Sequence, residues 1–510
     1  VDSSTYPRRR RLGSYEPVGV HRFSSLPSPN YDVMATTTSA ATRAAAGKAL
    51  RSKTPRISHG VWVPPPDRDP LALLTASEAD RLEALLPLRD ERMEQTPFTF
   101  FRGSAVVMAA DLAKTPVSGL MVQAGGDAHC LNFGGFATPE RNLIFDLNDF
   151  DETYPGPWEW DLKRLVTSLL LAARNNGFKE RSCEIAALTA AESYRLAINE
   201  LAQRPALDVF YARLDATQIL DAARNVSVRE RRDRIANEAE TASVRAAVDR
   251  FTEIAGGVRR FKEEPPVLYH SSETDRIGFD IEDIFTQYAQ TLGPDVSALF
   301  DRYALIDHAI KVVGVGSVGT RCGVGLFSAG DDDMLILQVK EARESVLAPY
   351  LGKAVVYPNQ GERVVRGQRL MQAASDVFLG WASSGEHDFY VRQFKDMKAS
   401  AHLETADQYQ LREYAHWCAW ALATAHARSG DAAAIAGYVG RRNTLDRALL
   451  AFAVAYAEQV VHDHAAFTAA VKASAPPPAE PAVAAEPAPA AEPSPAAEPA
   501  PAAETPSTSA

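Results

Sequence analysis

The sequence predicts an α+β protein of two unlike lobes, a helical one first and a small antiparallel β lobe later, with structureless tails at both ends. Three observations lead there. Helical patterns dominate from about residue 56 to residue 255. The run Lys311 to Val339 reads instead as strand, glycine-rich turn, strand, acidic hairpin turn and strand. Residues 1–55 and 474–510 show no sustained apolar period, the latter being an Ala/Glu/Pro repeat.

With 510 residues and 46% hydrophobic content, the chain can bury a large core. A net charge of -11 leaves no overall electrostatic footprint for nucleic acid or an anionic membrane. No apolar run approaches the roughly 18 residues that a membrane span requires. Cys130, Cys183, Cys322 and Cys418 lie far apart without a CxxC pair, which argues against a zinc site and a disulfide scaffold. A cytoplasmic setting is the expectation.

In chain order, Pro64 to Pro66 form a stiff entry. Helices follow over Ala76–Leu86, with Thr75 as N-cap and Glu78 as its capping-box partner, and over Asp90–Gln95. PFTFFRG, Pro97 to Gly103, breaks the pattern. Its phenylalanines are core candidates, and Arg102, if buried, needs an anionic partner.

Gly125 to Asp161 concentrates acids, a histidine and asparagines between short apolar runs. Gly125 and Gly126 allow a sharp turn that presents Asp127, His129 and Asn132. A strand over Asn142–Leu147 then ends among Asp146, Asn148, Asp149, Asp151 and Glu152. So many carboxylates repel one another unless a cation or a basic group sits among them. His129 either touches substrate or fixes the turn. Asp161 either caps the helix that follows or holds the loop backbone. Trp158 and Trp160 read as packing residues.

Leu162–Asn175 is amphipathic, and helical patterns continue to about Glu253. Residues 256–300, with Pro265, Pro266 and Gly293, read as a linker between lobes. The β lobe spans 301–400, and helices over 401–473 return to the helical lobe.

Within the β lobe, Gly314, Gly316 and Gly319 form G-x-G-x-x-G with Ser317 inside it. A dinucleotide fingerprint needs a helix next, whereas Thr320–Phe327 continues as strand. A glycine-rich turn between antiparallel strands is what protein kinases fold over ATP phosphates. The third strand ends in Lys340, placed like the kinase lysine that pairs with those phosphates. The helix Gly361–Ser375 would carry Glu362 as its ion-pair partner. Strands over Val377–Ala382 and Asp388–Phe394 would complete the sheet. Arg321 either faces phosphate or covers the sheet, and Asp331 to Asp333 form a solvated hairpin tip.

Asp127 and Asn132 have the D-x-x-x-x-N spacing of a kinase catalytic loop, and Asp149 stands where a metal-binding aspartate follows. The order is reversed, because these residues precede the glycine turn. A circularly permuted, two-lobed kinase-like fold follows, since termini of compact domains often lie close together. The helix leading into the loop should then be Tyr409–Arg428, ending in LATAHARSGD.

PFTFFRG, GGDAHCLNFG, FDLNDFDET, GPWEWDLKRL, VVGVGSVGTRC and LQVKEA together resemble the bacterial family catalogued as domain of unknown function 2252, over about residues 56–470. That family brings no activity with it. GGDAH-x-x-N and NDFD also resemble aminoglycoside phosphotransferases, whose pattern is H-G-D-x-H-x-x-N followed by I-D-F-D. This resemblance implies Asp127 as catalytic aspartate, Asn132 and Asp149 as metal ligands, and Lys340 as phosphate lysine. Gly125 departs from the first histidine of that pattern. The longer spacing from Asn132 to Asp149 leaves Asp146 and Asp151 as rival ligands.

The expectation is an enzyme that uses ATP and magnesium to phosphorylate a hydroxyl acceptor, a small molecule or a protein. Nucleotidyl transfer is a variant. The alternatives are a nucleotide-binding scaffold without turnover and a metal-dependent hydrolase.

Overall fold

The computed structural model describes residues 38–215, 244–270, 278–312, 316, 318–330, 332–352, 357–394 and 403–474. It begins with helix α1, Ala40–Ala49, inside the segment expected to be structureless. The Ser39 hydroxyl caps it by accepting the Thr42 N–H. Small residues explain its docking: a Cβ on Gly47 would meet the Ala434 carbonyl oxygen, and one on Gly437 would meet that of Ala44, each within about 2 Å. Arg51 then donates to the Tyr438 and Gly437 carbonyls.

Helix α2, Pro70–Glu78, starts earlier than expected, capped by Asp69 with proline in its first turn. Helix α3, Leu86–Glu94, leads to α4, Pro97–Gly103, and α5, Ala105–Leu112. PFTFFRG is therefore helix: Thr96 and Thr99 form a reciprocal capping box, and Phe98, Phe100 and Phe101 are buried. Strand β1, Met121–Ala124, pairs with β4, Tyr154–Pro157. Between them β2, Phe133–Ala137, and β3, Leu143–Leu147, form a hairpin. Helix α6, Trp158–Asn175, is buried over nearly its whole length, and α7, Glu180–Leu201, packs along it. Trp158 and Trp160 are buried packing residues as expected. Helix α8, Ala206–Tyr211, and β5, Leu214–Asp215, follow.

After α9, Val244–Phe251, the expected linker contains regular structure. Strands β6, Thr252–Ala255, and β7, Val258–Phe261, form a hairpin, β8, Leu268–Tyr269, joins the large sheet, and helices α10, Ile281–Ala289, and α11, Pro294–Phe300, follow. Ile281, Ile284, Phe285 and Tyr288 give α10 an apolar face that packs on the sheet, which is why it orders.

Strands β9, Ala304–Lys311, β10, Cys322–Ser328, and β11, Met334–Ala342, form the expected meander. Helix α12, Ala348–Leu351, and helix α13, Gln360–Met371, precede β12, Gly380–Ser384, and β13, His387–Gln393. Among the described residues the antiparallel sheet has six strands in the order β12-β13-β11-β10-β9-β8. Strand alternation sorts its faces: Leu335, Leu337 and Val339 of β11 join the core under α10, while Ile336, Gln338 and Lys340 look the other way. Helices α14, Gln408–Ser429, α15, Ala432–Val439, and α16, Thr444–Ser474, return to the helical lobe, where α14 packs on α7. No described helix is long and apolar enough to cross a membrane. The four cysteines are free and buried.

Candidate functional site

The loop after β1 is shaped from below by a carboxylate in the first turn of α6. Asp161 accepts the N–H groups of Gly125 at 2.7 Å and Gly126 at 2.9 Å, and His426 of α14 lies 3.2 Å from the same carboxylate. The two possible roles of Asp161 are thus resolved: it holds the loop backbone. Gly126 has φ +78°, and a Cβ there would meet the Glu152 carbonyl oxygen at 2.3 Å, so this turn requires glycine. Helix α14 ends beside β1, with Gly430 against Val122 and the Met121 carbonyl.

Beyond the turn, Asp127, His129, Asn132, Asp149, Asp151 and Glu152 line one cavity of about 480 Å³. Gly316, Thr320 and Glu341 of the β lobe line it too. The Asn132 side-chain amide donates to the Asp127 carbonyl at 2.7 Å through its nitrogen, so the side-chain oxygen is the acceptor it retains. Asp127 accepts from the Arg164 Nε of α6 at 2.5 Å. Burial pushes the Asp127 carboxyl up to about 7 in spite of that arginine. His129 Nε2 lies 3.9 Å from Asp127, its Nδ1 is buried without a partner among the described residues, and burial holds it well below the ordinary histidine value, so it is neutral.

Lys340 reaches this loop from β11. Its Nζ donates to the Asp151 Oδ2 at 2.7 Å across 189 residues of sequence, and the Tyr390 hydroxyl of β13 donates to the Asp151 Oδ1 at the same distance. Burial alone would raise Asp151, but the Lys340 ammonium holds it below the usual carboxylate range, while Lys340 is raised well above its own. The expected Lys340–Glu362 pair does not form. Glu362 in the first turn of α13 turns to Arg366, four residues on, and it is Arg363 that points to the acidic loop. Arg363 donates to the carbonyls of Thr153, Asp151 and Arg343, tying α13 to the acidic loop.

Three carboxylates compete for a metal in the sequence, and the geometry separates them. Asp146 accepts the Leu147 and Ala373 N–H groups, sits 3.8 Å from Arg428 and does not line the cavity. Asp151 has both oxygens engaged by Lys340 and Tyr390. Asp149 lines the cavity and, among the described residues, accepts only the Asp151 N–H, at 3.2 Å. Among the described residues, three ligand atoms within 4.8 Å of one another occur only at Asp80, Glu341 and His387. There the Arg321 guanidinium lies 3.1 Å from Glu341, so Arg321 serves an ion pair.

Of the glycine turn, Gly314 and Ser317 lie outside the described residues, as does Asp331 of the hairpin tip. Gly316 lines the cavity, and Gly319 has φ +86°. Arg81, N-terminal to α3, clasps this turn by donating to the Gly316 and Val318 carbonyls, and the Leu82 N–H donates to the Gly319 carbonyl. Sequence reasoning missed Arg81, Arg164, Arg343 and Arg363. Each lies in or beside a helix or strand where nothing local separates a site arginine from a surface one.

The fold and site define an α+β protein in which a loop of the helical lobe and a strand of an antiparallel sheet jointly wall an acidic and basic cavity. The chain belongs to the family described as an uncharacterized protein conserved in bacteria, DUF2252, whose model matches residues 81–470. No curated protein and no solved structure matches it.

Proposed function

We propose that the protein binds ATP with magnesium and transfers a phosphoryl group to a hydroxyl acceptor, on a circularly permuted kinase-like arrangement of the two lobes. The observation that carries this reading is the Lys340–Asp151 ion pair, which ties strand β11 to the loop whose Asp127, Asp149 and Asp151 line one cavity with Gly316. A lysine, an uncommitted carboxylate and a loop aspartate near neutral pKa are the groups phosphoryl transfer uses. In this reading Asp127 positions the acceptor hydroxyl and Asn132 with Asp149 holds the metal. Lys340 exchanges Asp151 for a phosphate oxygen. Magnesium typically takes one or two carboxylates and completes its shell with phosphate and water, which suits Asn132 and Asp149 better than a closed metal cage. The same residues would serve nucleotidyl transfer.

The Arg164–Asp127 ion pair also suits a site kept only for nucleotide binding. Thermal stability titrated with ATP, with and without magnesium, in wild type, Lys340→Ala and Asp149→Ala, tests the proposal. Saturation to about 100 times Kd should add about 2.7 kcal/mol to wild type only. No magnesium-dependent shift across millimolar ATP would remove this reading. A shift without ADP formation over a broad acceptor panel would favour the binding protein.

A further inference from the structure

Arg102 is a side chain of the cavity that no carboxylate among the described residues neutralises. It lines the cavity beside Asp127 and His129, its Nε is buried without a hydrogen-bond partner, and no carboxylate pairs with it. Its backbone is nonetheless fixed from both sides. Arg164 donates to the preceding carbonyl, of Phe101, at 3.0 Å, and Arg89 donates to the following one, of Gly103, also at 3.0 Å. Both clamping arginines are fully buried, and each is itself neutralised, Arg164 by Asp127 and Arg89 by Glu78. Arg164 also stacks over the Phe101 ring, 4.4 Å from its centroid.

Two further arginines of the wall have no carboxylate partner of their own among the described residues, although Asp149, Glu152 and Glu344 also line the cavity. Among the described residues Arg81 and Arg343 bond only carbonyl oxygens, Arg81 those of Gly316 and Val318, Arg343 that of Ser77. The carboxylates of Asp127, Asp151 and Glu341 are meanwhile committed to Arg164, Lys340 and Arg321. Desolvating a guanidinium is costly unless an anion repays it, and its planar fork suits a two-oxygen anion. Arg102 lies close enough to Asp127 for the two charges to feel each other.

We propose that the acceptor is anionic, a hydroxyl compound that also carries a carboxylate or a phosphate, and that Arg102 binds this anionic group. The acceptor hydroxyl at Asp127 rests on the phosphotransfer reading; the anion subsite does not. With the anion on Arg102, the hydroxyl end of a compact molecule falls to Asp127 within the same cavity.

The test titrates hydroxyl compounds in matched sets without nucleotide: glycerol, glycerate and glycerol 3-phosphate; ribose and ribose 5-phosphate; and inorganic phosphate alone. Calorimetry on wild type, Arg102→Met and Arg102→Lys reads binding. Wild type should bind charged members at least tenfold more tightly than neutral ones, and the glycerate and phosphate arms tell which anion is preferred. Arg102→Met should weaken charged members roughly tenfold to hundredfold, and Arg102→Lys should weaken them less. Equal binding of neutral and charged members, no binding of any charged member, or full retention in Arg102→Met overturns the proposal. Loss of the MgATP response in Arg102→Met with normal binding in Arg102→Lys also overturns it, by assigning the arginine to nucleotide. Anion binding as expected in a wild type that ignores MgATP keeps the subsite and removes phosphotransfer.

Discussion

Lys340 and Asp151 meet at 2.7 Å with Tyr390 closing the other carboxylate oxygen, so the β lobe is anchored to the acidic loop by a buried ion pair. Such a pair is costly to break from one side, because the surviving charge stays desolvated. Lys340→Met should destabilise the fold by about 3 kcal/mol in urea unfolding, and adding Asp151→Asn should restore part of that loss. A single variant as stable as wild type would mean that Asp151 is well solvated.

Asp127 gives a pH signature. Its folded pKa of about 7 lies above the unfolded value of about 4, so the native state holds the extra proton between them. Its contribution to stability is therefore full below about pH 4 and is lost as pH rises through about 7. Asp127→Asn should lose less stability than wild type between pH 5 and pH 8, measured by denaturant unfolding at each pH. Phosphotransfer, where detected, should fall at least roughly a hundredfold in the same variant.

Lys163 of α6 has the opposite sign. Burial lowers its pKa to about 7, with the Thr115 hydroxyl at 2.9 Å and the Phe452 ring beneath it as its company. Its contribution is present above the unfolded value of about 10.4 and is lost as pH falls through about 7. Lys163→Met should raise the thermal midpoint at pH 6 more than at pH 9. Equal shifts at both pH values would show the lysine charged in the fold throughout.

The loop itself should depend on Asp161. Replacing it with alanine strands the Gly125 and Gly126 N–H groups and His426, and should cost about 2 to 4 kcal/mol. Gly126→Ala should lose the MgATP response while leaving most of the fold intact, because its added carbon strikes the Glu152 backbone directly behind the cavity. A normal nucleotide response in Gly126→Ala would separate this turn from the site.

Much of the site was legible in the residues. Clustered carboxylates after a double glycine, and a lysine ending a strand of alternating apolar residues, are local patterns that chemistry explains without a fold. The helices and the meander were legible for the same reason, since 3.6-residue and 2-residue periods are written along the chain. Helix α1 was missed because its apolar content is only alanine and its fit depends on Gly47 lying against Ala434 and Gly437 against Ala44. Glu362 was assigned to Lys340 by spacing, yet one residue's rotation around α13 sends it to Arg366 and brings Arg363 inward.

The sequence by itself determined which residue types were available and which short stretches would turn, extend or coil, because those depend on neighbours within a few positions. Only the tertiary structure decided the partners. Asp151 belongs to Lys340, Asp146 to the Leu147 and Ala373 amides, and Asp161 to the loop it holds. A charge taken out of water must be matched by whatever lies nearest in space, and nearness across 189 residues is a property of packing that no local pattern carries.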